Sequence, residues 1–391
     1  MENINALQEM DDFSRELLLL FFIVKNNDTP LSKELFTDVN WDLFLQYVEH
    51  HRLYPIVYKT LKQVNSSTIP YYVMNTLSSW YKKNTFQMLL LNAEMEQVSI
   101  LFSQRGIKAL FLKGPVLAYD LYLDLTMRTS KDLDILVKIE DLEHVNQLLL
   151  NHGYVRDDYT RTVLDDWKWK NHHIEYAHPQ KGISLEIHWR LHPGPGKEPT
   201  FLELWKRKRI SPINHKPVYF LNREDLFVYL IAHGARHGWF RLRWLTDLNQ
   251  MIKQDLNWRE VNDLLKKFNY QHLGGQVFIL LSRLLGTPIP VEMKPFSLGK
   301  RSINLAKKVM PFINQLENLH SENLPGEILL SFNKYLYELM TLKQKCFYYY
   351  GFLFPVPEDT EILALPKKLH FLYFPLRPFL WIWKKNIRAE R

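Results

Sequence analysis

Lys131-Asp132-Leu133-Asp134-Ile135-Leu136-Val137 is the stretch that decides the fold. Two carboxylates stand two residues apart at the start of an otherwise apolar run. In a strand, residues i and i+2 share one face. Asp132 and Asp134 therefore point one way, while Leu133 and Ile135 point into a core. Two like charges in a half-buried place repel each other and call for a cation. A pair of hard oxygen ligands suits Mg²⁺ or Mn²⁺. The plainer alternative is a strand edge with both Asp in water, which the poor strand preference of Asp weakens.

Working outward, Ile107-Lys108-Ala109-Leu110-Phe111-Leu112 reads as a short buried strand. Lys113-Gly114-Pro115 follows, with Pro115 suited to the first turn of a helix over 116–123. Exposed N–H groups at a helix start bind phosphate, and Lys113 adds a charge, although a simple strand-helix joint is the plainer alternative. Downstream, Glu140-Asp141 open a helix to about 150, with acids at its positive end, and Gly153 closes it. Residues 172–178 and 183–189 alternate with period two around Pro179-Gln180-Lys181-Gly182, a hairpin signal. In the second arm Glu186 and His188 share a face opposite Leu185, Ile187 and Trp189. If this arm lies beside the Asp strand, Glu186 becomes a third carboxylate. Three carboxylates can hold one or two divalent ions, which neutralise a triphosphate and stabilise leaving pyrophosphate. The chain has no G-x-x-x-x-G-K and no G-x-G-x-x-G, so neither a P-loop nor a dinucleotide fold is expected.

On both sides the period is helical. Residues 1–104 carry Phe44, Tyr47 and Val48, then Met88, Leu91 and Met95, at helical spacing. Asp28-Thr29-Pro30 and Ser67-Thr68-Ile69-Pro70 read as breaks. The run 17–24 reads as a buried helix face, too short for the roughly 20 residues of a membrane span. Nothing chemical is expected in this region. In 193–391, residues 225–235 and 242–252 are the clearest helices, and Gly274-Gly275 and Pro288-Ile289-Pro290 read as breaks. The expected fold class is α+β. A mixed sheet occupies about 105–192, between an N-terminal helical region (1–104) and a C-terminal one (193–391).

Composition narrows the function. Among 391 residues, 50 Lys+Arg against 42 Asp+Glu leave a formal +8. That suits a phosphate-rich partner without naming one. An apolar share of 46 % excludes a disordered chain. The single cysteine, Cys346, excludes an internal disulfide framework and a multi-Cys zinc site, and it suits a reducing compartment. Residues 1–12 are acidic and polar, without the basic start of a secretory signal. A cytoplasmic protein with no transmembrane segment is expected.

Strand, Gly-containing turn, helix, Asp-x-Asp on the next strand and a later strand acid: this layout resembles the DNA-polymerase-β-like nucleotidyltransferases. More closely, the run from Lys113-Gly114 through Tyr122, Arg128 and Asp132-x-Asp134, then His173 and Glu186-x-His188-Trp189, is similar to a bacterial group described only as uncharacterised nucleotidyltransferases. The similarity continues through His233, His237 and Arg243-Trp244-Leu245-x-Asp247, over about 107–250. It implies a catalytic, metal-holding triad of Asp132, Asp134 and Glu186, with Mg²⁺ (or Mn²⁺) and a nucleoside triphosphate. It also implies a nucleotide-binding set of Lys113, Gly114, Arg128, His173 and His188. The wider superfamily carries Gly-Ser at the first turn. Here Lys113-Gly114-Pro115 offers no hydroxyl, a form the closer group shares. Some members of that group stand beside genes for modified bacterial peptides, including lasso peptides. A peptide acceptor is thus implied by analogy alone.

The function expected is transfer of a nucleoside monophosphate to an acceptor hydroxyl or phosphate, with a bacterial peptide such as a lasso peptide as one candidate acceptor. The alternatives are a tailoring enzyme that attaches another group to a phosphorylated peptide, and a non-catalytic nucleotide-binding module. Nucleic acid is not an expected partner.

Other motifs have plainer readings. His172, His173 and His188 fit no familiar zinc spacing; a hydrogen-bonding place in the site is expected for His173 or His188. His233 and His237 form H-x-x-x-H without the Glu of a metalloprotease. Arg243 and Asp247 stand at i, i+4 and can pair. Lys206-Arg207-Lys208-Arg209 reads as a solvated helix face or an acceptor surface. Trp167-Lys168-Trp169-Lys170 reads as structural. The aromatic tail, 371–383, followed by a basic stretch, reads as a packed helical cap and not a membrane-surface helix.

Overall fold

The computed structural model describes residues 13–25, 31, 33–64, 68–157, 163–164 and 166–389, with side chains as far as Trp383 in the last helix. Residues 1–12, the break at Asp28-Thr29-Pro30, Ser67, and the side chains of the basic run 384–388 lie outside the described residues.

Four helices precede the sheet: α1 (Arg15–Lys25), α2 (Trp41–His50), α3 (Tyr54–Leu61) and α4 (Tyr71–Gln104). The central part runs β1 (Leu110–Phe111), α5 (Pro115–Tyr122), β2 (Asp132–Leu136), α6 (Leu142–Asn151), β3 (Val155–Arg156), α7 (Trp167–Lys170), β4 (His173–His178) and β5 (Ile183–His188). After it come α8 (Phe201–Arg207), β6 (Arg209–Ile210), β7 (Tyr219–Phe220), α9 (Arg223–Arg236), α10 (Leu242–Ile252), α11 (Trp258–Lys267) and α12 (Gln271–Leu285), and then a helical C-terminal region.

The seven strands form one mixed sheet in the order β3-β4-β5-β2-β1-β7-β6. The α+β class and the flanking helices are as expected. β4 and β5 form the expected antiparallel hairpin, and Gly182 takes φ +64 in its turn, a conformation easy only for glycine. β5 lies beside β2 in parallel, which is the condition on which Glu186 joins the Asp pair. β1 is shorter than the run 107–112. In the antiparallel ladder Leu110 pairs with Leu136, where β2 ends, so 107–109 have no strand beside them on that side. β6 and β7 join the sheet from beyond residue 192; at two residues each they are too short to show an alternating pattern.

The sheet's buried face explains the apolar spacing. Leu133, Ile135, Leu185 and Ile187 are fully buried with Met88, Leu91 and Met95 of α4 in one core. Each such side chain contributes about 1.5–3 kcal/mol by leaving water. α4, 34 residues and so about 50 Å long, spans this layer. A second core joins α1–α3 to α9–α12, and it buries the 17–24 face as expected, through Leu17, Leu20 and Ile23.

Gly274-Gly275 does not break the chain: both glycines lie inside α12. A Cβ on Gly275 would sit 2.1 Å from the Phe296 carbonyl oxygen and 2.3 Å from Ser302 Oγ. The glycines admit a close neighbour and leave the helix intact. Among the described residues no helix is long and apolar enough to cross a membrane.

Candidate active site

The β2–β5 ladder sets Asp134 opposite Glu186 as Cα partners, with Asp132 opposite Ser184. All three carboxylates thus rise from the sheet face opposite the α4 core. Asp134 is the deepest. Lys113 Nζ lies 2.7 Å from its Oδ1, and His188 Nε2 lies 3.4 Å from the same atom and 3.1 Å from Glu186 Oε2. The Lys113 approach is close but lacks hydrogen-bond geometry, so Asp134 Oδ1 is a buried oxygen without a hydrogen-bond partner.

The charges depend on one another. Burial acts to raise the Asp134 carboxyl, but the Lys113 ammonium and His188 hold it well below the usual carboxylate range. Burial would lower Lys113, and Asp134 overrides it, so the ammonium keeps its proton. His188, disfavoured as a cation by burial, is raised by the Asp134 and Glu186 carboxylates beside it. Asp132 is helped less, since Lys113 and Arg243 act on it more weakly than its burial and the neighbouring acids. Burial, then Asp134 and Glu186, push it up to about 6. A carboxylate cluster with one member so disfavoured as an anion, and one buried oxygen that accepts no hydrogen bond of good geometry, fits a hard divalent cation.

Gly114 holds the turn before α5 at φ +78, ψ −142, a region open essentially to glycine alone. A Cβ there would meet Leu133 Cδ2 at 3.4 Å. Pro115 opens α5 as expected.

His173 faces His188 across the hairpin as its Cα partner, with ring centroids 5.0 Å apart. Three acid- or histidine-rich groups have ligand atoms within 4.8 Å of one another: Asp134, Glu186 and His188; His172, His173 and His188; and His173, Glu175 and Glu186. Asp132 belongs to no such group among the described residues. Arg128 is placed differently from the other expected residues. It is buried, with Nε donating to Asp247 at 3.0 Å and Nη1 to the Thr129 carbonyl. It therefore anchors the loop that leads into β2 and does not line the cavity.

The family model for uncharacterised nucleotidyltransferases matches residues 37–286. The chain belongs to that family. No curated protein matches it. The matched span includes most of the N-terminal helices and runs through α12, well beyond the sheet.

In this family member Asp132 and Glu186 open onto a cavity of about 420 Å³, while Asp134, almost wholly buried, does not line it. Much of the rest of its lining is basic. Arg52, between α2 and α3, Lys131, before β2, and Arg241 and Arg243, at the start of α10, all line it. None of the three arginines is ion-paired with a carboxylate among the described residues. Burial, then mutual repulsion, lowers Arg52 and Arg241 to about 10, and burial with Arg128 and Arg52 lowers Arg243 to about 9. The Nε atoms of Arg241 and Arg243 are buried without partners. Arg52 also holds φ +55, an uncommon conformation for a side-chain-bearing residue.

The N-terminal region, expected to hold nothing chemical, therefore supplies Arg52. Its only sequence signal is a charge in the non-periodic His50-His51-Arg52 link, and links of that kind are common. Lys131, Arg236 and Arg241 were likewise not singled out. Arg243 does not pair with Asp247, because Arg128 already does; its Nη1 donates to Thr129 Oγ1 at 2.9 Å. His233 of α9 and His237, just past its end, line the cavity. Burial drives both imidazoles well below their usual range, so they are neutral donors or acceptors there.

The remaining motifs are structural. Trp167 packs edge-on to Trp189 and Trp169 edge-on to Phe354. Arg207 pairs with Asp225 and Arg209 with Asp120, so the two arginines of the basic run are neutralised. Tyr373 and Leu380 of the last helix (Tyr373–Ala389) are buried, as a packed cap requires, while Phe379, Trp381 and Trp383 are exposed. A hollow of about 460 Å³ beside Ser99, Ile107 and Trp205 is larger than the carboxylate cavity, but no acid or histidine lines it.

Proposed function

We propose that this chain transfers a nucleoside monophosphate from a nucleoside triphosphate to an acceptor hydroxyl or phosphate. One observation carries the reading: Asp132 and Glu186, the latter paired with Asp134 in the ladder, share one cavity with three partly buried arginines that have no acid partner among the described residues. A carboxylate cluster without the arginines would suit a bound cation alone. Arginines without carboxylates would suit any anion. Together they suit a metal-bound polyphosphate.

Asp132, Asp134 and Glu186 would hold Mg²⁺, which when bound neutralises phosphate charge near the reacting phosphorus. Arg52, Arg241 and Arg243 bind and orient the triphosphate. Lys113 and His188 keep Asp134 ionised and fix its position. The acceptor oxygen forms its bond to the α-phosphorus. The bond from that phosphorus to the bridging oxygen breaks, and pyrophosphate leaves with the electron pair. Glu186, which lines the cavity, takes the acceptor's proton. A peptide natural product such as a lasso peptide enters as an acceptor on family resemblance alone.

Label position tests the reaction class. With a nucleoside triphosphate labelled at the α-phosphorus, the acceptor gains label; with the γ-phosphorus labelled, it does not. Transfer of γ-label would mean phosphoryl transfer and would overturn the proposal.

A further inference from the structure

The carboxylate cavity does not end at Arg52. A second cavity of about 460 Å³ adjoins it, and the two share Arg52, Ser130 and Lys131 as walls. Ser130 and Lys131 immediately precede Asp132. If the reacting α-phosphate lies at the carboxylates, the nucleoside it carries must leave the cavity close to Asp132. The second cavity opens at that point.

Its walls suit a base. Tyr54, at the start of α3, and Trp80, on α4, bring two rings together at 5.8 Å between centroids and 59° between planes. Both are half-buried, so their faces are reachable. Asn84 is engaged, donating to the Thr126 and Arg128 carbonyls. Gln87 and Glu49 also line the cavity, and no hydrogen bond holds either side chain among the described residues. A free amide can donate and accept at a base edge, and a free carboxylate accepts from its N–H groups. The cavity on the other side, about 280 Å³, meets the carboxylate cavity at Pro193 and Arg236 and is lined by Leu273, Leu336 and Leu339. It has no wall beside Asp132 and no unengaged carboxylate.

We propose that the cavity between α2, α3 and α4 is the nucleobase subsite, with Trp80 as its stacking platform and Gln87 and Glu49 at the base edge; this rests on the nucleotidyltransferase reading above. The N-terminal helices are then part of substrate recognition. Arg52 marks the boundary between the phosphate part of the site and the base part.

The test compares Mg²⁺-dependent binding of the four common ribonucleoside triphosphates with that of inorganic tripolyphosphate, which has the phosphates and no base. We expect the best nucleotide to bind at least about tenfold more tightly than tripolyphosphate, the scale of one base stacked on one ring. In Trp80→Ala that gap closes to about threefold or less, while tripolyphosphate affinity stays within about twofold of wild type. Trp80→Tyr restores most of the gap, and Gln87→Ala changes the ranking of the four bases. A wild-type protein that binds tripolyphosphate as tightly as every nucleotide overturns the subsite. So does a gap that persists in Trp80→Ala. A protein that binds neither ligand overturns the nucleotidyltransferase reading itself, an outcome distinct from the other two.

Discussion

Asp134 of β2 and Glu186 of β5 are direct partners in a parallel ladder, 52 positions apart in sequence and opposed on one sheet face. That register joins the Asp-x-Asp pair and the later strand acid into one cluster. A slip of one residue in β5 would turn Glu186 into the core and Leu185 into the cavity. Glu186→Gln keeps size and shape and removes the charge. We expect at least a hundredfold loss of turnover with an unchanged unfolding midpoint, read from single-turnover rates beside a denaturant titration.

The proposed function makes the arginine wall a binding device. Arg241→Ala removes one of three partly buried cations that repel one another. The free protein should lose little stability and can gain some, whereas triphosphate affinity should fall by about tenfold or more. Calorimetric titration with a nucleoside triphosphate reads both affinity and its salt dependence. Unchanged affinity would place the phosphates elsewhere.

Arg128 and Asp247 form an ion pair with both side chains almost wholly out of water. Removing one partner leaves the other charged and buried. Asp247→Asn should destabilise the chain by about 3–5 kcal/mol. The double change Arg128→Met with Asp247→Leu should recover much of that loss, as denaturant unfolding would reveal.

Gly275→Ala forces a methyl group against the Phe296 carbonyl at 2.1 Å. We expect a loss of about 1–3 kcal/mol or more from overpacking, despite alanine's better helix propensity. A more stable variant would show that α12 shifts freely.

His272 is held down to about 4, by burial and then Arg301. Its folded-state value lies below the ordinary 6.5, so only the unfolded chain takes up its proton between those values. The stabilisation is present above pH 6.5 and is lost as pH falls from 6.5 towards 4, at about 1.4 kcal/mol per pH unit for this group. His272→Asn should make the fall in stability between pH 6.5 and 5 shallower by about that slope, as urea unfolding at several pH values would measure.

How far the sequence could be read follows from the distances involved. Asp132-x-Asp134, Glu186-x-His188, the hairpin and Gly114 are local patterns with period two or a fixed turn, and they emerge from residues near one another. The parallel pairing of β2 with β5 was only a condition in the sequence, because nothing local states which strands are neighbours. The arginine wall was invisible for a related reason. Arg52, Lys131 and Arg241 come from three segments that meet only in the folded chain. Lone charges in links usually face water, so none stood out. Gly274-Gly275 misled because the same residue that breaks a helix also permits close packing within one.

The most direct measurement is pyrophosphate release from the four ribonucleoside triphosphates with and without Mg²⁺, in the presence of a Ser-containing peptide pool, for wild type, Asp134→Asn and Glu186→Gln. We expect release that requires Mg²⁺ and disappears in both variants, with nucleotide binding through the arginines retained. Release that continues in either variant would contradict the carboxylate mechanism.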